Sequence, residues 1–335
     1  HDEGFSLVEV LCALTVAALG LVMLMQMHTA SIRLGGRLDA TNVIGNPALS
    51  IITTIDYDHT QYLGETLTAI AHEKAGILKR GGPAVIGVQP DEARAEIERV
   101  GERVRAKLHI AGQDWQAYEQ HGRLVFQDEN GLLDLPLPQL KGRHQIDNSG
   151  NAIAAIRCLN DRRITDLHIS EGLKATTWPA RMQRLGQGAL SELVPAETEL
   201  WLDGGHNPSA GRVLAQAFSE LNDRHSRPLV LVWGMLNTKD VGSFIGCFAG
   251  IASRVVTITI PDEENAVQAD VLAESARAHG LVSETAPNLE AALRQASLTV
   301  PAPRILICGS LYLAGRVLAV HANEEMTKVS GAGRR

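Results

Sequence analysis

Short runs of apolar, mostly β-branched residues recur along the chain: LSIITTI, PAVIGVQ, TELWLDGGHN, PLVLVWGM, RVVTITI and RILICGS. Several are apolar at odd and even positions alike, so as strands they have no face fit for water and must be covered on both sides. Between them lie stretches with helical spacing, such as ETLTAIAHEKAGILK and DEARAEIERVGERV. Buried strands alternating with helices predict an α/β fold, a mostly parallel sheet with helices on both faces.

The same pattern predicts more than one domain. Between Leu108 and Leu140, short polar–apolar alternations broken by Asn130–Gly131 and by Pro136 and Pro138 predict a small antiparallel patch. A helix is expected over Asn148 to Leu159, and Trp178–Pro179 marks a boundary. With 335 residues the chain is long enough for two cores. A formal net charge of −7 leaves no basic footprint, which sets nucleic acid aside as a partner. Cys12, Cys158, Cys247 and Cys308 are far apart and form no CxxC pair. They point to reduced thiols in a cytoplasmic body rather than to a disulfide frame or a zinc site.

In sheets of this kind ligands gather at the carboxyl ends of strands. Four polar clusters fall there. TTIDYDH places Asp56, Asp58 and His59 past one strand, and LDGGHNP places Asp203, His206 and Asn207 past another. GMLNTKD and CGSLYLAG end two more. One such cluster is ordinary turn chemistry, because Asp, Asn and Gly favour turns; four in one chain point to a site.

The N-terminus has a different character. From Phe5 to Met27 the segment FSLVEVLCALTVAALGLVMLMQM is apolar apart from Glu9, and about 20 such residues span a bilayer as a helix. GFSLVEVLCAL resembles the processing site of type IV prepilins. That resemblance implies cleavage after Gly4, methylation of the new terminal Phe5, and a Glu9 facing a neighbour's terminal amine. The Lys or Arg that normally precedes the glycine is replaced by His1, Asp2 and Glu3, and no pilin-like globular domain follows. If the segment works as an anchor, membrane contact runs through residues 5–27 and the chain is tethered to the inner membrane.

The body resembles folylpolyglutamate synthase/dihydrofolate synthase, relatives of the Mur peptide ligases. LGGRLDATNVI, DHTQYLGETLTAIAHEKAGILK, GRHQIDN, WPARMQRL, LDGGHNPSAG, GMLNTKD and GSLYLAG carry the likeness, in family order from Leu34 to Val320. It implies an apolar helix over residues 1–33, part of a Mur-ligase-like central ATPase domain over 34–177, a Rossmann-like C-terminal ligase domain over 178–322, and a tail over 323–335. It also implies ATP and Mg2+ as cofactors, and L-glutamate with dihydropteroate or tetrahydrofolate as substrates. ATP phosphorylates a carboxylate, the glutamate amine attacks the acyl phosphate, and an amide, ADP and phosphate result. A carboxylate is a poor electrophile, and the phosphate supplies its leaving group.

By position, His59 matches a metal ligand and Lys74 the family's carbamylated catalytic lysine. A histidine is an unusual ligand for a hard, oxygen-preferring ion, so only the motif nominates it. Leu38, Asp39 and Ala40 match the loop that contacts the pterin substrate. Asn148 matches an adenine-side asparagine, Arg181 a phosphate-side arginine and Asp203 a ribose- or phosphate-site aspartate, with His206 beside that pocket. The chain also departs from the family. GxxxxGK[ST], the phosphate-cradling loop, does not occur in it, and Ser31 stands where EVGLGGR carries a metal-binding glutamate. The expectation is a junction near residues 31 to 34. Three functions follow: a folate-type amide ligase whose turnover is impaired, a non-catalytic folate- or ATP-binding remnant, or a pilus- or secretion-associated protein.

Overall fold

The computed structural model describes residues 45–57, 63–298 and 300–322. Expectations for residues 5–27, Ser31, Leu38, Asp39, Ala40, His59 and the tail lie outside the described residues. The chain divides into two compact units between Trp178 and Pro179.

In the N-terminal unit β1 (Ser50–Ile52), β2 (Pro83–Ile86) and β3 (Lys107–Ile110) form a parallel sheet in that order. Two crossover helices, α1 (Leu67–Ala75) and α2 (Asp91–Val104), cover one face. There Ile70, Ala71, Ala93, Ile97 and Val100 pack against Ile52, Ala84 and Ile86. Val85, pointing the other way, joins a second cluster with Trp115, Phe126 and Ile153. That cluster lies under an antiparallel meander, β4 (Trp115–Gln120), β5 (Arg123–Asp128) and β6 (Gly131–Pro136), with α3 (His144–Leu159) and α4 (Asp166–Ala175). A glycine sits inside α3 for a packing reason: a Cβ at Gly150 would stand 2.6 Å from the Ala117 Cβ.

α2 forms because Asp91 and Glu92 complement its N-terminal dipole and Ala93, Ile97 and Val100 recur on one face. Within that apolar face sits Glu96, only 8% exposed. It accepts from Arg99 through Nη2 at 2.6 Å and Nε at 2.7 Å, and meets His72 Nδ1 of α1 at 2.6 Å. The Arg99 guanidinium holds the Glu96 carboxyl down at about 2; burial opposes this, and His72 adds to the depression.

In the C-terminal unit six strands are ordered β11–β10–β9–β12–β8–β7. They are β7 (Gln183–Arg184), β8 (Glu199–Leu202), β9 (Leu229–Trp233), β10 (Ala252–Thr257), β11 (Ser283–Thr285) and β12 (Arg304–Cys308). All pairs are parallel except β7–β8. α5 (Pro208–Arg224), α6 (Val241–Gly246) and α7 (Ala269–Ala278) pack on the face that carries Leu231, Trp233 and Leu306. α8 (Leu289–Leu298) and α9 (Leu311–His321) pack on the opposite face, against Val230, Val232 and Ile307. β9 and β12 are buried along their whole length; β9 has no polar position, and the one charged residue of β12, Arg304, is paired with Glu199 at 2.8 Å. Among the described residues no helix is long and apolar enough to cross a membrane.

The depressed Glu96 carboxyl gives a signed prediction. A carboxylate whose folded value lies below its usual 4.5 stabilises the fold above that value and loses this contribution as pH falls toward about 2. Glu96→Gln is therefore expected to lower stability at neutral pH by about 1–3 kcal/mol. Urea unfolding followed from pH 7 to 2 should show the two proteins converging between 4.5 and about 2; a constant gap would contradict the pairing.

Candidate functional site

The sheet order brings the ends of β8, β12 and β9 together, and the backbone joins them. Asp203 N donates to Ile307 O at 3.0 Å, Gly309 N to Gly205 O at 3.0 Å and Gly234 N to Cys308 O at 3.3 Å. Glycine is required for this closeness at two points. Gly309 has φ +108°, and a Cβ there would lie 2.4 Å from Gly234 O; a Cβ at Gly204 would lie 2.3 Å from Leu311 Cδ2. Three of the four motif clusters, LDGGHNP, GMLNTKD and CGSLYLAG, thus lie at neighbouring strand ends, whereas TTIDYDH follows β1 in the other unit.

Helices begin at once after two of these ends. Asn207 Oδ1 accepts from Ala210 N at 2.8 Å and caps α5, with Pro208 in the first turn where its missing N–H costs nothing. Ser310, 2% exposed, caps α9 by accepting from Tyr312 N at 3.1 Å. Both caps leave other N–H groups and a positive dipole end beside the cluster, a setting that favours an anionic group.

Asp203 is the most enclosed of the expected site residues among those described, at 5% exposure. Its Oδ2 accepts from Met182 N at 2.8 Å and its Oδ1 from Gly205 N at 2.7 Å. Burial pushes this carboxyl up, while Arg181 and the two backbone donors oppose the rise. Arg181 itself is half-buried, between Ala180 at φ 54° and Met182 at φ 40°. Left-handed backbone costs a non-glycine residue roughly 1–2 kcal/mol. Ala180 O, accepting from Gly204 N at 2.9 Å, and the Asp203–Met182 bond hold the loop in that shape. His206 is partly buried; its Nδ1 donates to Gly204 O at 2.8 Å.

In the N-terminal unit Lys74 lies half-buried in the last turn of α1. Asn148 is half-buried on α3, donating through Nδ2 to Gln145 Oε1 at 3.1 Å, and Gln145 is 4% exposed. Two glutamines were not expected as site residues. Gln145 orients the Asn148 amide, and its place within GRHQIDN was the available signal. Gln89 donates to Thr53 O at 2.8 Å and accepts from Ile55 N at 2.9 Å, clasping the segment that leads to Asp56; a lone glutamine after β2 carries no signal of this kind. Arg181, Asp203 and His206 cluster in the C-terminal unit, and Lys74 and Asn148 belong to the N-terminal one. An open recess of about 560 Å³, lined by Asp114, Trp115, Asp128 and Arg157 among others, includes none of these residues. Among the described residues no group of three or more His, Cys, Asp or Glu is arranged to hold a metal.

Residues 181–311 match the family model for the Mur ligase glutamate ligase domain, and residues 1–25 match the prokaryotic N-terminal methylation motif. The chain is 32% identical to the folylpolyglutamate synthase of Lacticaseibacillus casei, over 85% of its own length and 64% of that protein's. It is 29% identical to a probable dihydrofolate synthetase of Schizosaccharomyces pombe, over 84% of its own length and 68% of the other. Among solved structures, E. coli FolC in complex with DHPP and ADP superposes with a TM-score of 0.73 at 26% identity, covering 86% of this chain and 64% of FolC. A Yersinia pestis bifunctional folylpolyglutamate synthase/dihydrofolate synthase complexed with AMPPNP and Mn superposes at 0.71 with 29% identity, covering 85% and 64%. The chain is a homologue of the folylpolyglutamate and dihydrofolate synthases, and it spans about two thirds of the length of these relatives.

The two C-terminal site residues are expected to differ in what their loss does. Asp203→Ala strands two backbone donors and releases the left-handed loop, so it should destabilise the C-terminal unit by about 2–4 kcal/mol. Arg181→Ala keeps both bonds and should cost less than about 1 kcal/mol. Denaturant unfolding of the two variants checks the order; equal losses would remove Asp203 from its role as the clasp.

Proposed function

We propose that this chain supplies the glutamate-ligase unit, and much of the central ATPase unit, of an ATP-dependent amide ligase that joins L-glutamate to dihydropteroate or to a folate. The observation that carries this reading is the junction of LDGGHNP, GMLNTKD and GSLYLAG at three neighbouring strand ends, with Arg181 held beside Asp203. The arrangement suits an anionic nucleotide: Arg181 offers the cation, and the first turns of α5 and α9 offer N–H groups. Asn148, held by Gln145, offers an amide suited to a base edge. Within the C-terminal unit His206 and Asp203 complete the cluster around Arg181, and Leu38, Asp39 and Ala40 are assigned the pterin contact.

Lys74 is assigned the carbamylation of the resemblance, which turns an ammonium into an anion, and His59 the metal. His59 lies outside the described residues, and among the described residues no group of three or more His, Cys, Asp or Glu is arranged to hold a metal. The relatives are complexed with ADP, or with AMPPNP and Mn, which supports ATP as the nucleotide here.

The 335 residues contain no GxxxxGK[ST], and transfer of a γ-phosphoryl group leans on such a loop. Losing a single transition-state donor costs about a hundredfold or more in rate. A polypeptide of these residues alone is therefore expected to release ADP at background, whether or not dihydropteroate and glutamate are present. Joining residues 34–322 to the N-terminal segment of the Lacticaseibacillus casei relative should restore ADP release that needs both substrates and falls with Arg181→Ala. A folded chimera without substrate-dependent release would overturn the ligase reading.

A further inference from the structure

The helix that carries Lys74 rests on a narrow apolar strip, with Leu67 partly buried at its start. α1 is nine residues long, and its buried side chains are Ile70, Ala71 and Ala75. Two of the three are alanines, which bury little area and tolerate rotation. The directional contact is polar: His72 Nδ1 lies 2.6 Å from Glu96 Oε1 on the neighbouring helix.

Glu96 occupies a place in α2 where an apolar residue is the ordinary choice, between Ala93, Ile97 and Val100. Glu96 is enclosed while its partners His72 and Arg99 reach the surface, and the best-attested use of a carboxylate set into an apolar helix face is to specify register. Arg99 takes both Glu96 oxygens from the rim of α2 and keeps the carboxylate charged and directed. A helix turns about 100° per residue, so a slip of α1 by one position would swing Lys74 out of its half-buried setting.

We propose that the chain His72–Glu96–Arg99 sets the rotational register of α1 against α2, and that Glu96 is thereby a positioning residue for Lys74. The proposal rests on the assignment of Lys74 as the lysine that takes up carbon dioxide. In that step the neutral Nζ amine forms an N–C bond to CO2, one C=O π-pair moves onto oxygen, and the displaced Nζ proton goes to solvent. The product is a carbamate anion.

The experiment is 13C NMR of the full chain in 13C-bicarbonate, which reads the carbamate without any need for turnover. Wild type is expected to show a carbamate signal that disappears in Lys74→Arg. In Glu96→Gln the Lys74 carbamate fraction of folded protein should fall about tenfold, the scale of one lost charge-assisted hydrogen bond. His72→Gln, at a side chain 46% exposed, should fold normally and show a smaller drop in the same direction; it carries the test if Glu96→Gln does not fold. Arg123→Ala, which breaks the exposed Arg123–Asp134 pair on the meander, should leave the fraction unchanged. Full carbamate in a folded but less stable Glu96→Gln or His72→Gln protein would overturn the positioning role while leaving the Lys74 assignment standing. No Lys74 carbamate in wild type would overturn that assignment, and the positioning proposal with it.

Discussion

Two oxygens of one buried carboxylate organise the functional edge of the C-terminal unit. Asp203 accepts from Met182 N and Gly205 N, and each bond fastens a different loop. Through Met182 it holds the left-handed residues that flank Arg181; through Gly205 it holds the turn that ends β8 and leads into α5. Gly205 O in turn takes Gly309 N, which ties in the end of β12, and Cys308 O takes Gly234 N, which ties in the end of β9. Burial makes this carboxyl costly to ionise, and Arg181 and the two backbone donors offset part of that cost. The consequence is a rigid edge with a cation and two helix N-termini beside it.

The N-terminal unit uses the same device on helices. Glu96 is a second enclosed carboxylate, and it ties α1 to α2 through His72 and Arg99. In both units the polar groups that matter are held by other polar groups, not by the apolar core, which supplies the platform. Val85 on one side and Ile86 on the other show how little freedom that platform has: adjacent residues of β2 enter different clusters. Single hydrogen bonds hold the loop that carries Arg181 and orient the Asn148 amide.

Much of this was legible in advance. α2 spans the stretch DEARAEIERVGERV because its dipole complement and apolar period agree, and LVLVW is the fully buried strand its composition implies; RILIC is fully buried only because Arg304 pairs with Glu199. β7 and β11 were not legible, since Gln-Arg and Ser-Glu-Thr have no apolar signature and pair only because a neighbouring strand is present. β1 is shorter than LSIITTI suggests, because the Gln89 side chain takes Thr53 O and Ile55 N. The order of the sheet was hidden for a different reason. The last strand in sequence, β12, inserts between β8 and β9, and local pattern carries no information about such a crossover. Motifs nominated Asp203, Arg181 and His206 as candidates, whereas the clasping roles of Asp203, Gln145 and Gln89 depend on contacts that only the fold creates.

Native-state hydrogen exchange resolved to single amides tests whether Asp203, through Met182 and Gly205, and Gly205 in turn through Gly309, hold these loop ends as one edge. The amide protons of Met182, Gly205 and Gly309 should exchange only through global opening of the C-terminal unit, with protection matching that of Leu231 and Ile307 in the central strands. Exchange of these three amides at rates typical of open loops, while the strands stay protected, would contradict the account.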